Sequence, residues 1–160
     1  MTGSPTKTTE KAGPMRQSFS YEIRNQPNAL QSLKQELELT LFAQAEHSAL
    51  RPTILLVIDE LVSNLIKYGF SAPHQRSYLN VAFDENWLEI ELKDNGCPFN
   101  PLLQPQPNLL DQELSNRQVG GLGLYLVLKM MDETHYEWIQ SWNCLRLRKR
   151  VRKNANDRET

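Results

Sequence analysis

The sequence lacks the features that mark several common protein classes. Its 160 residues include only two cysteines, Cys97 and Cys144, too few for a disulfide framework or a cysteine-rich metal site. The formal net charge is −1, so no positive excess indicates direct nucleic-acid binding. No apolar run is long enough to span a bilayer, and the first sixteen residues lack the apolar centre of a secretory signal. We therefore expect a cytoplasmic chain with reduced thiols and no membrane or direct nucleic-acid partner.

The remaining composition is that of an ordinary globular domain, with 39% hydrophobic and 23% charged residues. The length suits one domain with one core. Residues 1–16 are almost free of apolar side chains, and we predict a disordered tail there. The domain is expected to cover residues 17–152, followed by a polar tail at 153–160.

Three helices are predicted from apolar spacing. Pro27 opens the first, whose core positions repeat at helical spacing. The second runs over residues 51–68 and ends at Gly69, and the third covers residues 120–131. The first helix presents Leu30, Leu33, Leu37, Leu41 and Ala45.

The predicted strands are residues 18–23 and two hairpins, at 78–92 and 134–151. Strands joined by short turns favour a mixed, mostly antiparallel sheet. With about three helices on one face, the fold class is an α+β two-layer sandwich. The basic run that starts at Arg146 is expected to protect an exposed edge strand.

The second helix carries Glu60 and Asn64 one turn apart on the same face. A carboxylate can accept a proton from an attacking hydroxyl, and an amide oxygen is a hard ligand that suits Mg²⁺. A plain solvated stripe is the alternative, because Asp59, Ser63 and Lys67 form a second polar row beside this pair.

Two further motifs contain glycine. Asp94-Asn95-Gly96 follows a predicted strand, where the carboxylate can accept from an exocyclic amine and the glycine allows a flat ligand to approach; an ordinary turn is the alternative. Gly120, Gly121 and Gly123 lie at the start of the third helix, where free N–H groups favour an anion. A hinge before a core helix is the alternative there.

The three motifs, taken in this order, resemble the nucleotide-binding boxes of the gyrase, Hsp90, histidine-kinase and MutL ATPase superfamily. The resemblance implies a Bergerat-type ATP-binding fold, with an ATP lid over residues 97–119. The form of the second box (Asp-x-Gly-x-Pro-Phe-x-Pro) and the Gly-Gly-Leu-Gly-Leu run are similar to one branch. That branch is the stand-alone anti-sigma factors that are serine-protein kinases.

This resemblance implies roles for individual residues. Glu60 would be the catalytic base and Asn64 the Mg²⁺ ligand. Asp94 and Gly96 would contact adenine. The remaining ATP-binding positions, in the lid and the third box, would be Phe99, Arg117, Gly120, Gly121, Leu122, Gly123 and Leu124.

The sequence departs from that branch at three places. Tyr68 stands where many relatives carry histidine, and Pro98 stands where the second box has another glycine. Residues 143–149 contain no threonine, although relatives often place one beside the adenine-binding carboxylate.

The function implied is phosphorylation of a serine on a protein antagonist with Mg-ATP, within partner-switching control of transcription. The partners would be a sigma factor, its antagonist, or both, and relatives of this branch commonly form homodimers. The alternative is a non-catalytic module whose bound nucleotide sets the shape of the lid for a protein partner.

Overall fold

The structure, a computed structural model, describes residues 16–43, 49–72, 74–104 and 122–151. Apart from Arg16, the two expected tails lie outside these residues, so the domain bounds of 17–152 stay a prediction. Among the described residues, five strands and three α-helices follow one another as β1 (Gln17–Ile23), α1 (Ala29–Leu39), α2 (Arg51–Asn64), β2 (Ser77–Phe83), β3 (Trp87–Asp94), α3 (Leu122–Met130), β4 (Glu133–Ile139) and β5 (Trp142–Arg150).

The five strands form one sheet in the order β1-β2-β3-β5-β4. All four pairings between these described strands are antiparallel, and the helices pack on one side of the sheet around a single core. The predicted α+β two-layer sandwich is confirmed. Its sheet is antiparallel throughout the described strands rather than mixed.

The basic run does not protect a sheet edge. β5 lies between β3 and β4, so the expectation of an edge strand there is wrong. Residues of a strand alternate between its two faces, and Arg146 and Arg148 lie on the face away from the helices. There they pair with Glu91 at 2.9 Å and with Glu133 at 2.5 Å.

α1 buries one face against the core, with Ala29, Leu33 and Leu37, but it ends earlier than the apolar pattern. The Thr40 hydroxyl and backbone N–H both donate to the Glu36 carbonyl oxygen, at 2.7 and 3.0 Å. A side chain that bonds its own helix in this way competes with further helical turns. Leu41 is still buried beyond the end of α1, and Ala45 lies outside the described residues.

α2 is the central helix, since it packs against both α1 and α3. Pro52 lies in its first turn, where its missing N–H costs no hydrogen bond. Its buried side chains spread round much of the helix, because neighbours lie on two sides: Ile54, Val57, Ile58, Leu61 and Val62. Every helix among the described residues falls short of the length and hydrophobicity that a membrane span requires.

α2 continues into a π-helical turn, Leu65–Gly69, so the prediction that this helix ends at Gly69 is confirmed. A π-helical turn is wider than an α-helical one and often lies at a functional site. Here the π-helical turn brings the end of α2 into contact with the loop that follows β3.

Candidate functional site

A row of polar side chains crosses one end of the sheet. Ser77 on β2, Asp94 on β3 and Asn143 on β5 lie directly opposite one another in the strand register. Opposite residues of antiparallel strands point to the same side, which here is the side covered by the helices. The row takes the place that apolar residues occupy two positions further along each strand, namely Leu79, Leu92 and Leu145.

One oxygen of the Asp94 carboxylate is held and the other is not. Oδ1 accepts from the Gly96 backbone N–H and from Asn143 Nδ2, both at 2.9 Å. Within the described residues Oδ2 accepts no hydrogen bond. This oxygen is therefore available to a donor on a ligand, as the adenine role predicted for Asp94 requires.

Asn143 uses its full hydrogen-bonding capacity. Nδ2 donates to Asp94 Oδ1 and to the Cys97 carbonyl oxygen, both at 2.9 Å. Oδ1 accepts from the Phe99 N–H at 2.9 Å and from the Tyr136 hydroxyl at 2.7 Å. Two acceptors lie at one end of the amide and two donors at the other, so only one orientation of the side chain satisfies all four partners.

The pKa of the Tyr136 phenol is raised above its ordinary value. Burial is the main cause, the negative charge of Asp94 adds to it, and the Phe99 N–H acts in the opposite direction. The hydroxyl therefore keeps its proton and donates to Asn143 at neutral and mildly alkaline pH. The contribution of this proton to the folding stability is fully present below the ordinary pKa of tyrosine. It is lost as the pH rises through the raised pKa of Tyr136.

Gly96 lies where the loop after β3 meets the end of α2. A Cβ at this position would lie 2.9 Å from both Asp94 Oδ1 and the Gly69 carbonyl oxygen, and 2.8 Å from Gln75 Nε2. Such distances leave no room for a side chain. The glycine therefore lets the second box pack directly against the π-helical turn, which brings the first two motifs together.

The first and third motifs meet at Gly123. A Cβ added there would overlap the Glu60 carboxylate, so Glu60 on α2 lies directly against the first turn of α3. The N–H groups of a first helical turn have no partner in the helix, and the helix dipole favours negative charge at that end. Glu60 therefore lies at the end of the site where the third box would hold phosphates.

Asp59 of the second polar row differs from Glu60 and Asn64 in its partners. Asp59 forms an ion pair with Lys34 on α1, as a structural surface residue does. Within the described residues, the half-buried side chains of Glu60 and Asn64 have neither a hydrogen-bond partner nor an ion-pair partner. The ligand-binding roles of Glu60 and Asn64, and the alternative of a solvated stripe, therefore stay predictions.

The structure brings only part of the predicted site together. Leu124 packs against the core, whereas Leu122 and Phe99 have exposed side chains. Arg117, Gly120, Gly121 and residues 105–119 of the expected lid lie outside the described residues.

The described start of the expected lid is anchored. Residues 97–99 are bound to Asn143, and a 3₁₀ turn, Pro101–Leu103, follows, with Pro101 buried. The beginning of the lid is therefore tied to the floor of the site.

Sequence reasoning missed Ser77 and Asn143. Asn143 lies beside Asp94, on the strand where relatives of the anti-sigma branch often have a threonine. The signal was the asparagine at the start of β5, but only the β3–β5 register places it opposite Asp94. Ser77 is fully buried, and its Oγ has no hydrogen-bond partner among the described residues. Such a group is costly unless water or a ligand reaches it.

Two surface cavities lie away from the candidate site, and neither is lined by a residue of the polar row, by Glu60 or by Gly123. One, of about 320 Å³, lies between β1 and α1, and another, of about 260 Å³, lies on the outer face of the sheet. The site is therefore defined by the convergence of the three motifs on the polar row.

ATP and Mg²⁺ fit the polar groups that the site presents. Asp94 Oδ2 offers an acceptor to a base, and the first turn of α3 offers N–H groups to phosphates. Among the described residues, no three histidine, cysteine or acidic side chains form a metal-binding cluster. An ion held by Asn64 would take its other ligands from phosphate oxygens and water, a common mode for Mg²⁺.

Comparison with known proteins supports the same assignment. Residues 20–149 match the histidine kinase-like ATPase domain family. The serine/threonine-protein kinase BtrW of Bordetella bronchiseptica is 29% identical over 99 residues, which cover 61% of this chain and 69% of BtrW.

Two serine-protein kinases named RsbW, from Listeria innocua and Staphylococcus aureus, are each 26% identical over 83 residues. Those matches cover 49% of this chain and 52% of each relative, so this chain spans about half the length of those two proteins. The match includes the three helices, the polar row and all of the strands except the start of β1 and the end of β5. The resemblance to this superfamily is confirmed. The chain belongs to the histidine kinase-like ATPase domain family.

Proposed function

We propose that this protein is an ATP-dependent serine-protein kinase that regulates transcription by partner switching, as an anti-sigma factor does. The observation that carries the proposal is the contact between Glu60 and the first turn of α3 at Gly123. A proton acceptor then lies beside the place where the phosphates of ATP would bind. The serine-protein kinase names of the relatives support the reaction type.

Each motif has a separate task in this proposal. Asp94 Oδ2 accepts a hydrogen bond from the adenine amine, with Gly96 allowing the base to lie close to the backbone. The glycines at the start of α3 hold the phosphates, and Asn64 contributes to Mg²⁺ binding. Glu60 accepts the proton of the acceptor serine as its oxygen bonds to the γ-phosphorus and ADP leaves. Catalysis would then rest mainly on positioning and charge stabilisation.

The acceptor in this proposal is a serine of a small protein antagonist, and the protein that is bound and released is a sigma factor. The reaction would take place in the cytoplasm, and the protein would act as a homodimer. These features follow from the resemblance to the anti-sigma branch.

A phosphoryl-transfer assay tests the proposal. The protein is incubated with Mg²⁺, γ-labelled ATP and a candidate antagonist, and label on the antagonist is measured. Glu60→Gln keeps the size of the side chain and removes the base, so transfer should fall by about 10²-fold or more while ATP binding persists. Asp59→Asn, at the neighbouring ion-paired position, is the matched control and should retain transfer.

The same assay separates kinase from binding module. Tight ATP binding, without transfer to any antagonist that the protein binds, would support the non-catalytic module. Equal transfer by wild type and Glu60→Gln would remove Glu60 from the mechanism. Calorimetry that detects no ATP binding would contradict both functions.

A further inference from the structure

Asn143 is bound on all sides by groups that belong to the candidate site. Its amide joins the carboxylate of Asp94, the backbone at Cys97 and Phe99, and the hydroxyl of Tyr136. The side chain is 5% exposed. No hydrogen-bonding capacity remains for a ligand, so direct contact with a base would first require the loss of an existing bond.

We propose that Asn143 is a positioning residue that selects the nucleotide base through Asp94. This proposal rests on the ATP binding of the proposed function and adds a residue that none of the three motifs contains. Asn143 Nδ2 and the Gly96 N–H fix Asp94 Oδ1 from two directions. The carboxylate plane is thereby fixed, and Oδ2 becomes the acceptor that faces a ligand.

A fixed acceptor discriminates between bases. The 6-amino group of adenine donates to a carboxylate oxygen, whereas the 6-oxo group of hypoxanthine or guanine would place two acceptors against each other. A site built to pair with one polar group rejects an analogue without it, because its own buried group then stays unpaired. A loosely held carboxylate could turn away and would discriminate less.

The same amide connects base recognition to the start of the expected lid. Phe99 donates to Asn143 Oδ1 and Cys97 accepts from Nδ2. These bonds and the one to Asp94 share one rigid amide group. A shift of the backbone at 97–99 would therefore turn the amide and disturb the carboxylate.

Nucleotide affinity measured by calorimetry on the full chain tests this inference. The ligands are ATP and purine riboside 5′-triphosphate, which is ATP without the 6-amino group. Asn143→Ala should weaken ATP binding about tenfold and change binding of the analogue by less than about threefold, since the analogue never used the fixed oxygen. Tyr136→Phe, which removes a single bond to Asn143, should weaken ATP binding about threefold in the same selective manner.

Asn80→Ala is the matched control. Asn80 also donates to a carboxylate, Glu91 Oε2 at 2.9 Å, but on the outer face of the sheet. Its loss should leave both affinities unchanged. If Asn143→Ala does not fold, Tyr136→Phe alone carries the test.

Each outcome has a distinct meaning. Equal weakening of ATP and the analogue in the site variants would overturn the inference, because Asn143 would then only maintain the pocket, while the proposed function would stand. A wild-type protein that binds no ATP would overturn the proposed function and this inference together. Selective loss of ATP binding supports the positioning role.

Discussion

Two asparagine–carboxylate pairs on opposite faces of the same sheet have very different surroundings. Asn143 donates to Asp94 and Asn80 donates to Glu91, each at 2.9 Å. Glu91 also pairs with Arg146 at 2.9 Å. On the helix-covered face, the four bonds of Asn143 each involve a different group of the candidate site.

The outer face contains interchangeable contacts. A single carboxylate, that of Glu89, lies within ion-pair distance of three arginines: Arg16 at 2.6 Å, Arg146 at 4.0 Å and Arg148 at 3.5 Å. When one such partner is lost, another arginine or water can replace it, so single contacts contribute little. A buried amide has no such replacement, because each lost bond leaves an unpaired group. Similar chemistry therefore gives tolerance on one face and precise geometry on the other.

The largest expected effect is that of Gly123→Ala on the site face. Alanine normally favours a helix over glycine by about 1 kcal/mol, so thermal stability should not fall through propensity. The new Cβ must displace the Glu60 carboxylate, and phosphoryl transfer should drop by about 10²-fold, the usual contribution of a general base. Leu126→Ala, at an exposed position of α3, is the control. Full transfer by Gly123→Ala would show that the position of Glu60 is not critical.

The second prediction compares the two asparagines directly. Asn143→Ala leaves the Phe99 N–H and Tyr136 hydroxyl without their acceptor and should lower the free energy of unfolding by about 2 kcal/mol. Asn80→Ala, on the half-exposed face, should cost less than about 1 kcal/mol. Urea denaturation followed by circular dichroism measures both values. Equal costs would remove the proposed difference between the faces.

The third prediction compares the two cysteines, one in the loop beside the site and one on the outer face of the sheet. Cys97 follows β3 beside the site and is exposed, whereas Cys144 on β5 is buried. Burial raises the pKa of the Cys144 thiol, and the charge of Glu91 adds to this while Lys93 acts in the opposite direction. Because the thiolate is the reactive form, Cys97 should react with iodoacetamide at least about tenfold faster at pH 8.

Urea provides the control for that measurement, since the two rates should converge in the unfolded chain. Bound ATP should slow modification of Cys97 and leave Cys144 unaffected, as judged by mass spectrometry of the labelled peptides. Rapid labelling of Cys144 in the folded protein would contradict the burial of its side chain.

The smallest expected effect comes from the outer ion pairs. Arg146→Ala should lower stability by about 0.5 kcal/mol at low salt, as partly exposed pairs do. The difference from wild type should shrink further in 1 M salt, where the Debye length is only about 3 Å. A cost above that of Asn143→Ala in parallel urea denaturation would reverse the comparison of the faces.

Local patterns predicted the elements well. Helical spacing of apolar residues located α1 and α2, and the polar cluster between residues 83 and 87 located the β2–β3 turn. The end of α1 was missed because the Thr40 side chain, bonded to Glu36, competes with the apolar spacing that continues to Leu41. Periodicity alone contains no information on such a bond.

The candidate site was only partly predictable for a different reason. Glu60, Asp94 and Gly123 lie in motifs that can each be recognised from a few neighbouring residues. The order of these motifs along the chain connected them. Asn143 depends on the pairing of two strands whose facing residues are 49 positions apart, and no local pattern specifies that register. The interior position of β5 was not predicted for the same reason, because it also depends on the pairing of β3 with β5.

The sheet order also has a consequence for how this protein folds. β2 with β3, and β4 with β5, are hairpins that close through short turns, and such hairpins form within microseconds. The β3–β5 pairing instead brings together residues far apart in sequence, and such non-local contacts form late and slowly. Asp94 meets Asn143 only in that step. Docking of the two hairpins and assembly of the pocket floor are therefore one event, so a chain halted before it would contain much of its secondary structure and no place for a base.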